Sequence, residues 1–459
     1  MSVTAPSTSS TSSTDTAPPT SSTALYSDRP PRIAKEDLFM VLALWMELLP
    51  VKIHEDLREH TGNAKRQKLH CNSRHHNVGA VLVLPNDIIH AVDCTRGDVH
   101  AVARLLINHR NVAKGCKVFV SRKPCSFCTK LLVQSKVERV FFPPFEPEYR
   151  HDISHEVLFQ QEISEVDTLF TRSSIGQSVF VPKVEKAVLE HEYKRLLKET
   201  NVETSETKKE QVGQKRDALF QQFWGPEDGW MQTENVKKNL PWKAFDEPMK
   251  NHIKSDFRNN VEWMAIILVE SGLDTDNFSF QNVRPPQGSN GSQNEYIMRQ
   301  QAAHLIRMAQ FLARRTDDPK AGVGAVIANQ SMEIKALGWN GFPLKALYGE
   351  FPRASDTDVD VEETKFSFVI HAEQNALLMR NSLNLGEDVT LFVTKTPCDE
   401  CMPLIQMQGI KTVVLGGKMK RQAEESTESA QGGSRVLTYI KCEQNAISGN
   451  LPCFEKISN

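Results

Sequence analysis

No apolar run in this 459-residue chain approaches the roughly 18 uncharged residues that a membrane span needs, and the longest candidate, Leu38–Leu49, is interrupted by Glu47. The chain is expected to be soluble. Excess charge is missing too. Lys and Arg number 55 against 57 Asp and Glu, a net charge of −2, which argues against a protein that wraps a polyanion but leaves room for local basic patches. No secretory leader is expected either. Residues 1–31 are Ser, Thr, Pro and Ala with scarcely a large apolar side chain and no basic n-region, so they read as a disordered tail. An odd count of nine cysteines suits reduced thiols or metal ligands better than a disulfide framework. The expected compartment is the cytoplasm. Two basic clusters, Lys208-Lys209 and Lys215-Arg216, leave nuclear access open, and Val261–Leu273 resembles an export segment whose plainer reading is a packed helix.

What the chain does have is an internal repeat. Residues 78–84 (VGAVLVL) and 323–327 (VGAVI) are short apolar runs of buried-strand type. Helix-like DVHAVARLL from Asp98 is matched by VIHAEQNALL from Val369. Next, KVFVSRKPCSFC from Lys117 is matched by TLFVTKTPCDEC from Thr390, and the strand KVERVFF by GIKTVVLGG. The histidines are offset by 371 − 100 = 271 and both cysteine pairs by 273, whereas the leading strands are offset by 245. The second copy has therefore gained residues between its first strand and its histidine, in a stretch holding GWNGFP (338–343) and the acidic run around Asp356–Glu363.

At about 100–200 residues per domain, the length suits two or three domains. The order β-β-α-β-α-β in each copy predicts an α/β fold, with tandem three-layer α/β/α domains built on a mixed sheet. In copy one a helix over 155–170 and a strand over 178–182 allow a parallel pair after the fourth strand; Arg435–Cys442 is the counterpart in copy two. The expected division is a tail (1–31), a first domain (32–183), a charged linker and helical connector (184–294) and a second domain (295–459) opened by an amphipathic helix over 296–313.

In the second copy His371-Ala-Glu373 and Pro397-Cys398-Asp-Glu-Cys401 supply one imidazole, two thiols and a free carboxylate. That is a zinc inventory with one position left for water. Cys398 and Cys401, three apart, share a face at a helix start, where unpaired backbone N–H groups favour thiolates. His371 and Glu373 are only two apart. They share a side only where the backbone is extended, so they belong just before the first helical turn. Glu373 is then placed to move protons beside the metal.

This signature, H-x-E followed by P-C-x-x-C, resembles the cytidine and deoxycytidylate deaminase superfamily, and Arg315–Pro319, VGAVI and GWNGFP resemble deoxycytidylate deaminases in particular. The resemblance implies that His371, Cys398 and Cys401 hold a catalytic zinc, that Glu373 is the proton shuttle, and that Asn340 lies at the sugar of the substrate. Read without it, Asn340-Gly341 is a turn. The resemblance also implies a homo-oligomer.

The first copy keeps His100, Cys125 and Cys128 as possible ligands of a structural zinc, but Val102 stands at the glutamate position and the Asn-Gly loop is absent. No proton shuttle is expected there. Asp98, two residues before His100, is a remote substitute. The His75-His76 pair and His304 are read as surface or satisfied polar residues. The expected activity is hydrolytic deamination of the cytosine of a free pyrimidine nucleoside or nucleotide. Ribose or deoxyribose, and any phosphate count, stay open, with Lys345, Arg353 and Lys395 as phosphate candidates. A polynucleotide deaminase would need a basic, aromatic groove that is not evident, and a non-catalytic zinc scaffold fits the first copy alone.

Overall fold

The computed structural model describes residues 31–50, 74–198, 202–225, 246–271, 293–318, 321–343, 368–416, 438–443 and 453–457. The longest apolar run of the sequence forms α1 (Lys35–Glu47), buried from Leu38 to Glu47, as a helix apolar on all sides must be. Glu47, the charge that interrupts the run, is buried with Arg122, whose Nε and Nη2 donate to its Oε1 at 3.0 and 2.8 Å. Among the described residues no helix is long and apolar enough to cross a membrane.

The first sheet comprises β1 (Gly79–Val83), β2 (Ile89–Cys94), β3 (Lys117–Val120), β4 (Arg139–Phe142) and β5 (Gly176–Val179), in the order β2-β1-β3-β4-β5. β1 runs antiparallel to β2 and β3, while β3, β4 and β5 run parallel. Helices α2 (Ala101–Asn108), α3 (Ser126–Ser135) and α4 (Glu156–Thr171) make the crossovers. β5 lies two residues earlier than the pattern suggested, because Gly176 pairs with Arg139 and Val179 with Phe142; beyond it Pro182 has no N–H to offer a ladder.

The second sheet repeats the plan. It comprises β6 (Gly324–Ala328), β7 (Ile334–Trp339), β8 (Thr390–Val393), β9 (Thr412–Leu415), β10 (Thr438–Glu443) and β11 (Cys453–Ile457), in the order β11-β10-β9-β8-β6-β7. β10 is parallel to β9, as its position after β9 suggested, and β11 is an antiparallel addition that the sequence pattern did not announce.

Helices α5 (Lys186–Leu197), α6 (Val202–Trp224), α7 (Glu247–Glu270) and α8 (Gln293–Ala313) join the halves. The stretch read as a connector is more than a spacer. Phe223, Phe257 and Trp263 lie in one contiguous buried cluster with Trp45, Val81 and Val83 of the first half and Leu305, Val326 and Ala328 of the second. On the opposite strand faces, Ala80 and Leu82 pack with α2 and α3, and Ala325 and Ile327 with the short helices of the second half. Alternation along β1 and β6 thus sends one set of side chains into a shared layer and the other into a private one. This gives each sheet its two helical faces. The segment 261–269, apolar enough to suggest export, is the packed C-terminal part of α7.

His304 departs from expectation. It is buried, its ring stacked on Trp45 at 4.3 Å, and its carbonyl accepts from the Trp45 indole N–H at 3.0 Å. Its Nε2 finds no hydrogen-bond partner among the described residues. His76 Nε2, for its part, lies 2.8 Å from Glu146 Oε2. The halves also meet at their outer strands. Arg104 on α2 bridges Asp93 of β2 (3.0 Å) and Glu333 (3.2 Å), and Arg96 donates to the carbonyls of Ser331 and Met332.

Candidate functional site

In the second half β7 runs into the Asn-Gly loop, and that loop runs beside the histidine. Gly341 and Ile370 form an antiparallel bridge, each N–H donating to the other's carbonyl at 3.1 and 2.8 Å. His371 follows with φ −73° and ψ 156°, extended, and α9 (Ala372–Leu378) begins at the next residue. Gln374 Oε1 accepts from the His371 N–H at 3.0 Å, fixing the start. Gly338 lets this helix sit directly on β7, for a Cβ there would strike the backbone of Ala372 and Ala376. Asn375 ties the two together by donating to the Trp339 carbonyl at 2.9 Å.

The cysteines arrive from the loop after β8. Cys398 precedes α10 (Cys401–Met407) and its carbonyl accepts from the N–H groups of Cys401 and Met402, both at 3.0 Å. His371 Nδ1 lies 3.2 Å from Cys398 Sγ and 3.3 Å from Cys401 Sγ. One imidazole and two thiols at that separation fit zinc, whose bonds of about 2.0 Å to nitrogen and about 2.3 Å to sulfur put tetrahedral neighbours roughly 3.5 Å apart. Glu373 is buried. Burial pushes its pKa above the ordinary carboxylate range, against the opposing pull of its own backbone N–H, His371, Cys401 and Lys395. Burial likewise raises the Cys401 thiol. Lys395 is exposed; Lys345 and Arg353 lie outside the described residues.

The two loop motifs of the sequence meet. Thr316 Oγ1 donates to the Asn340 carbonyl at 2.8 Å, and Asp317 Oδ1 accepts from the Phe342 N–H at 3.0 Å. Asn340 itself is buried, with its amide spent on the protein. Oδ1 accepts from the Val323 N–H at 2.7 Å, while Nδ2 donates to the Ala321 carbonyl at 2.8 Å and Asp318 Oδ2 at 3.2 Å. It staples the loop beside the histidine.

In the first half His100 precedes α2 in the same extended conformation, and Cys125 caps α3, its sulfur accepting from the Cys128 N–H at 3.5 Å. Both sulfurs lie 3.4 Å from His100 Nδ1. Val102 is buried and Asp98 is exposed. A carboxylate that the sequence reading did not single out joins these three donors. Glu148, from the segment after β4, is 1% exposed and brings Oε1 to 2.8 Å from His100 Nδ1. Burial, then the neighbouring Cys125, raises its pKa, which His100 opposes. Twenty residues beyond Cys128 in a Phe-Glu-Pro-Glu-Tyr run, it carries no spacing signal that could have found it.

The family model described as the cytidine and deoxycytidylate deaminase zinc-binding region matches residues 54–143 and 299–417, once in each half. The chain is similar to a zebrafish (Danio rerio) cytidine and dCMP deaminase domain-containing protein 1, with 27% identity over 83% of each chain. It is also similar to the human (Homo sapiens) deoxycytidylate deaminase, 32% identical over 27% of this chain and 68% of that one. Among solved structures, a cyanophage S-TIM5 dCMP deaminase matches at 27% identity over 26% of this chain and 84% of its own, with a TM-score of 0.20.

Proposed function

This chain belongs to the cytidine and deoxycytidylate deaminase family, and on that premise we propose that its second half hydrolyses the cytosine amino group of a free nucleoside or nucleotide, giving the uracil product and ammonia. The observation that carries the reading is a buried carboxylate, Glu373, two residues from a His371–Cys398–Cys401 donor set.

Zinc bound by these three residues supplies Lewis acidity, which brings the pKa of a water molecule toward neutrality. The chain's own residues do the rest. Glu373, on the first turn of α9, takes the proton that the attacking water gives up and delivers it to a ring nitrogen. The water's second proton, held on the oxygen added to the ring carbon, then passes through the same carboxyl to the amino group, which leaves as ammonia as that oxygen becomes the carbonyl. Burial, which raises its pKa, favours proton uptake by this carboxylate. Lys395, exposed three residues before Cys398, is the phosphate candidate that lies among the described residues.

Asn340 acts as a positioning residue. Its three hydrogen bonds hold the 316–318 loop and the start of β6 against the 341–370 bridge, so the sugar side of the site is shaped by a loop that Asn340 locks. The test is ammonia release from cytidine, deoxycytidine, their mono-, di- and triphosphates, and a cytosine-bearing single-stranded oligonucleotide. Turnover of one of the free compounds, abolished in Glu373→Gln, is expected. Turnover of the oligonucleotide alone overturns the reading.

A further inference from the structure

We propose that Glu148 is the fourth protein ligand of a zinc site in the first half, with His100, Cys125 and Cys128, and that this site is closed. An ion there has no position for water and serves the fold rather than a substrate. The inference concerns the half of the chain that the proposed deaminase reading does not use.

Among the described residues, four donors converge in the first half and three in the second. Glu148 Oε1 lies 2.8 Å from His100 Nδ1 and 3.7 Å from Cys128 Sγ, and the four donor atoms fall within 4.8 Å of one another. Fully protein-ligated tetrahedral sites are the structural kind, and an open position marks the catalytic kind. The two carboxylate oxygens divide their work. Oε2 accepts from the Cys125 N–H at 2.8 Å, which leaves Oε1 turned toward the imidazole and the thiols.

The carboxylate is also carried on a fixed backbone. The Glu148 N–H donates to the Lys123 carbonyl at 2.9 Å, and its own carbonyl accepts from the His76 N–H at 2.7 Å. His75 and Tyr149 continue that pairing as an antiparallel bridge, and the His75 ring lies 4.8 Å from the His100 ring. Glu148 is thus laced between the strand–helix loop that bears the cysteines and the segment leading into β1. All four donor residues are buried. A buried carboxylate beside two thiols is costly without a cation, and a divalent ion bound to all four removes that cost. It would also pin α2, α3 and the segment after β4 at one point, whereas in the second half the nearby carboxylate, Glu373, stands on the helix itself.

The test uses the full chain carrying Cys398→Ala and Cys401→Ala, so that only the first site can bind metal, and reads metal content and spectroscopy rather than activity. One zinc per chain is expected. With cobalt in its place, the visible ligand-field spectrum is expected to stay unchanged on adding azide, because no water is there to displace. Adding Glu148→Gln should speed release to a chromogenic chelator at least about tenfold and let azide shift the spectrum. A chain that retains no metal overturns the proposal, and so does a cobalt spectrum that azide shifts while Glu148 is intact. The azide titration needs no Glu148 variant, so a folding failure of that variant leaves it decisive.

Discussion

Helix α9 rests on β7 at Gly338, whereas α2 meets Asp93 at the same register of β2, since Ala325 faces Gly338 as Ala80 faces Asp93. The next pair differs in kind as well. Asn375 donates to a strand carbonyl in the second half, while Arg104, at the corresponding helix position, binds Asp93 and reaches Glu333 of the other half. One copy uses its helix–strand contact for close approach beside the buried carboxylate of Glu373. The other has spent it on holding its sibling. Duplication therefore left two similar metal cradles facing different demands, and the source of the carboxylate is the clearest mark of that difference: Glu373 comes from the helix and Glu148 from a loop.

The comparison is broken most sharply at Glu373. Glu373→Gln should lower turnover by at least about 10²–10⁴-fold, the usual worth of positioned acid–base catalysis, while zinc content stays at the wild-type level. Adding Val102→Glu should restore nothing, because the first half has no Asn-Gly loop and Glu148 already faces its His100. Measured ammonia release from the double variant checks this, and clear recovery would make the two halves equivalent.

Much of this contrast was legible in the sequence. Agreeing offsets exposed the repeat, and the spacing of His371 and Glu373 pointed to the helix entry, where His371 is extended and Glu373 already lies on the first turn. Glu148 was not legible, because a loop places it through backbone pairing with Lys123 and His76, which no local pattern encodes. The apolar stretch in α1 was visible, yet not its position between the first sheet and α8, since an apolar run does not name the elements that cover it. Asn340 was recognisable as a turn former, but its three bonds to Val323, Ala321 and Asp318 depend on a loop about twenty residues upstream.

Both halves should be equally sensitive where the leading strand meets its covering helix. A Cβ at Gly79 would collide with the Ala43 carbonyl, and one at Gly324 with that of Ala309. Gly79→Ala and Gly324→Ala should each cost about 1–3 kcal/mol or more, as overpacking does. Because α1, α7 and α8 form one core, calorimetry should show a single transition lowered by either change. Two separable transitions, each moved by one variant only, would mean that the halves unfold independently.

Asn340→Ala sharpens the comparison at the loop that only the second half possesses. Removing a buried amide that satisfies the Val323 N–H and the Ala321 carbonyl should cost roughly 1–3 kcal/mol, with activity falling alongside thermal stability. A raised KM with unchanged melting temperature would instead place the side chain at the substrate's sugar.

The smallest effect is expected at Arg104, although it spans the two halves. Arg104→Asn makes the first half's helix resemble the second's, where Asn375 stands. The carboxylates it leaves are not stranded: Asp93 keeps Arg96 at 3.6 Å, and Glu333 keeps Lys335 at 3.1 Å and the Asn329 amide at 3.0 Å. Partly exposed ion pairs contribute about 0–1 kcal/mol, and the shared core of α1, α7 and α8 carries the association of the halves. The melting temperature should therefore fall by only a few degrees, at most, with deamination retained. A large loss of turnover at unchanged stability would show that the contact between β2 and β7 transmits the position of the first half to Gly338 and so to Glu373. The first copy would then be a regulator of the second rather than a support.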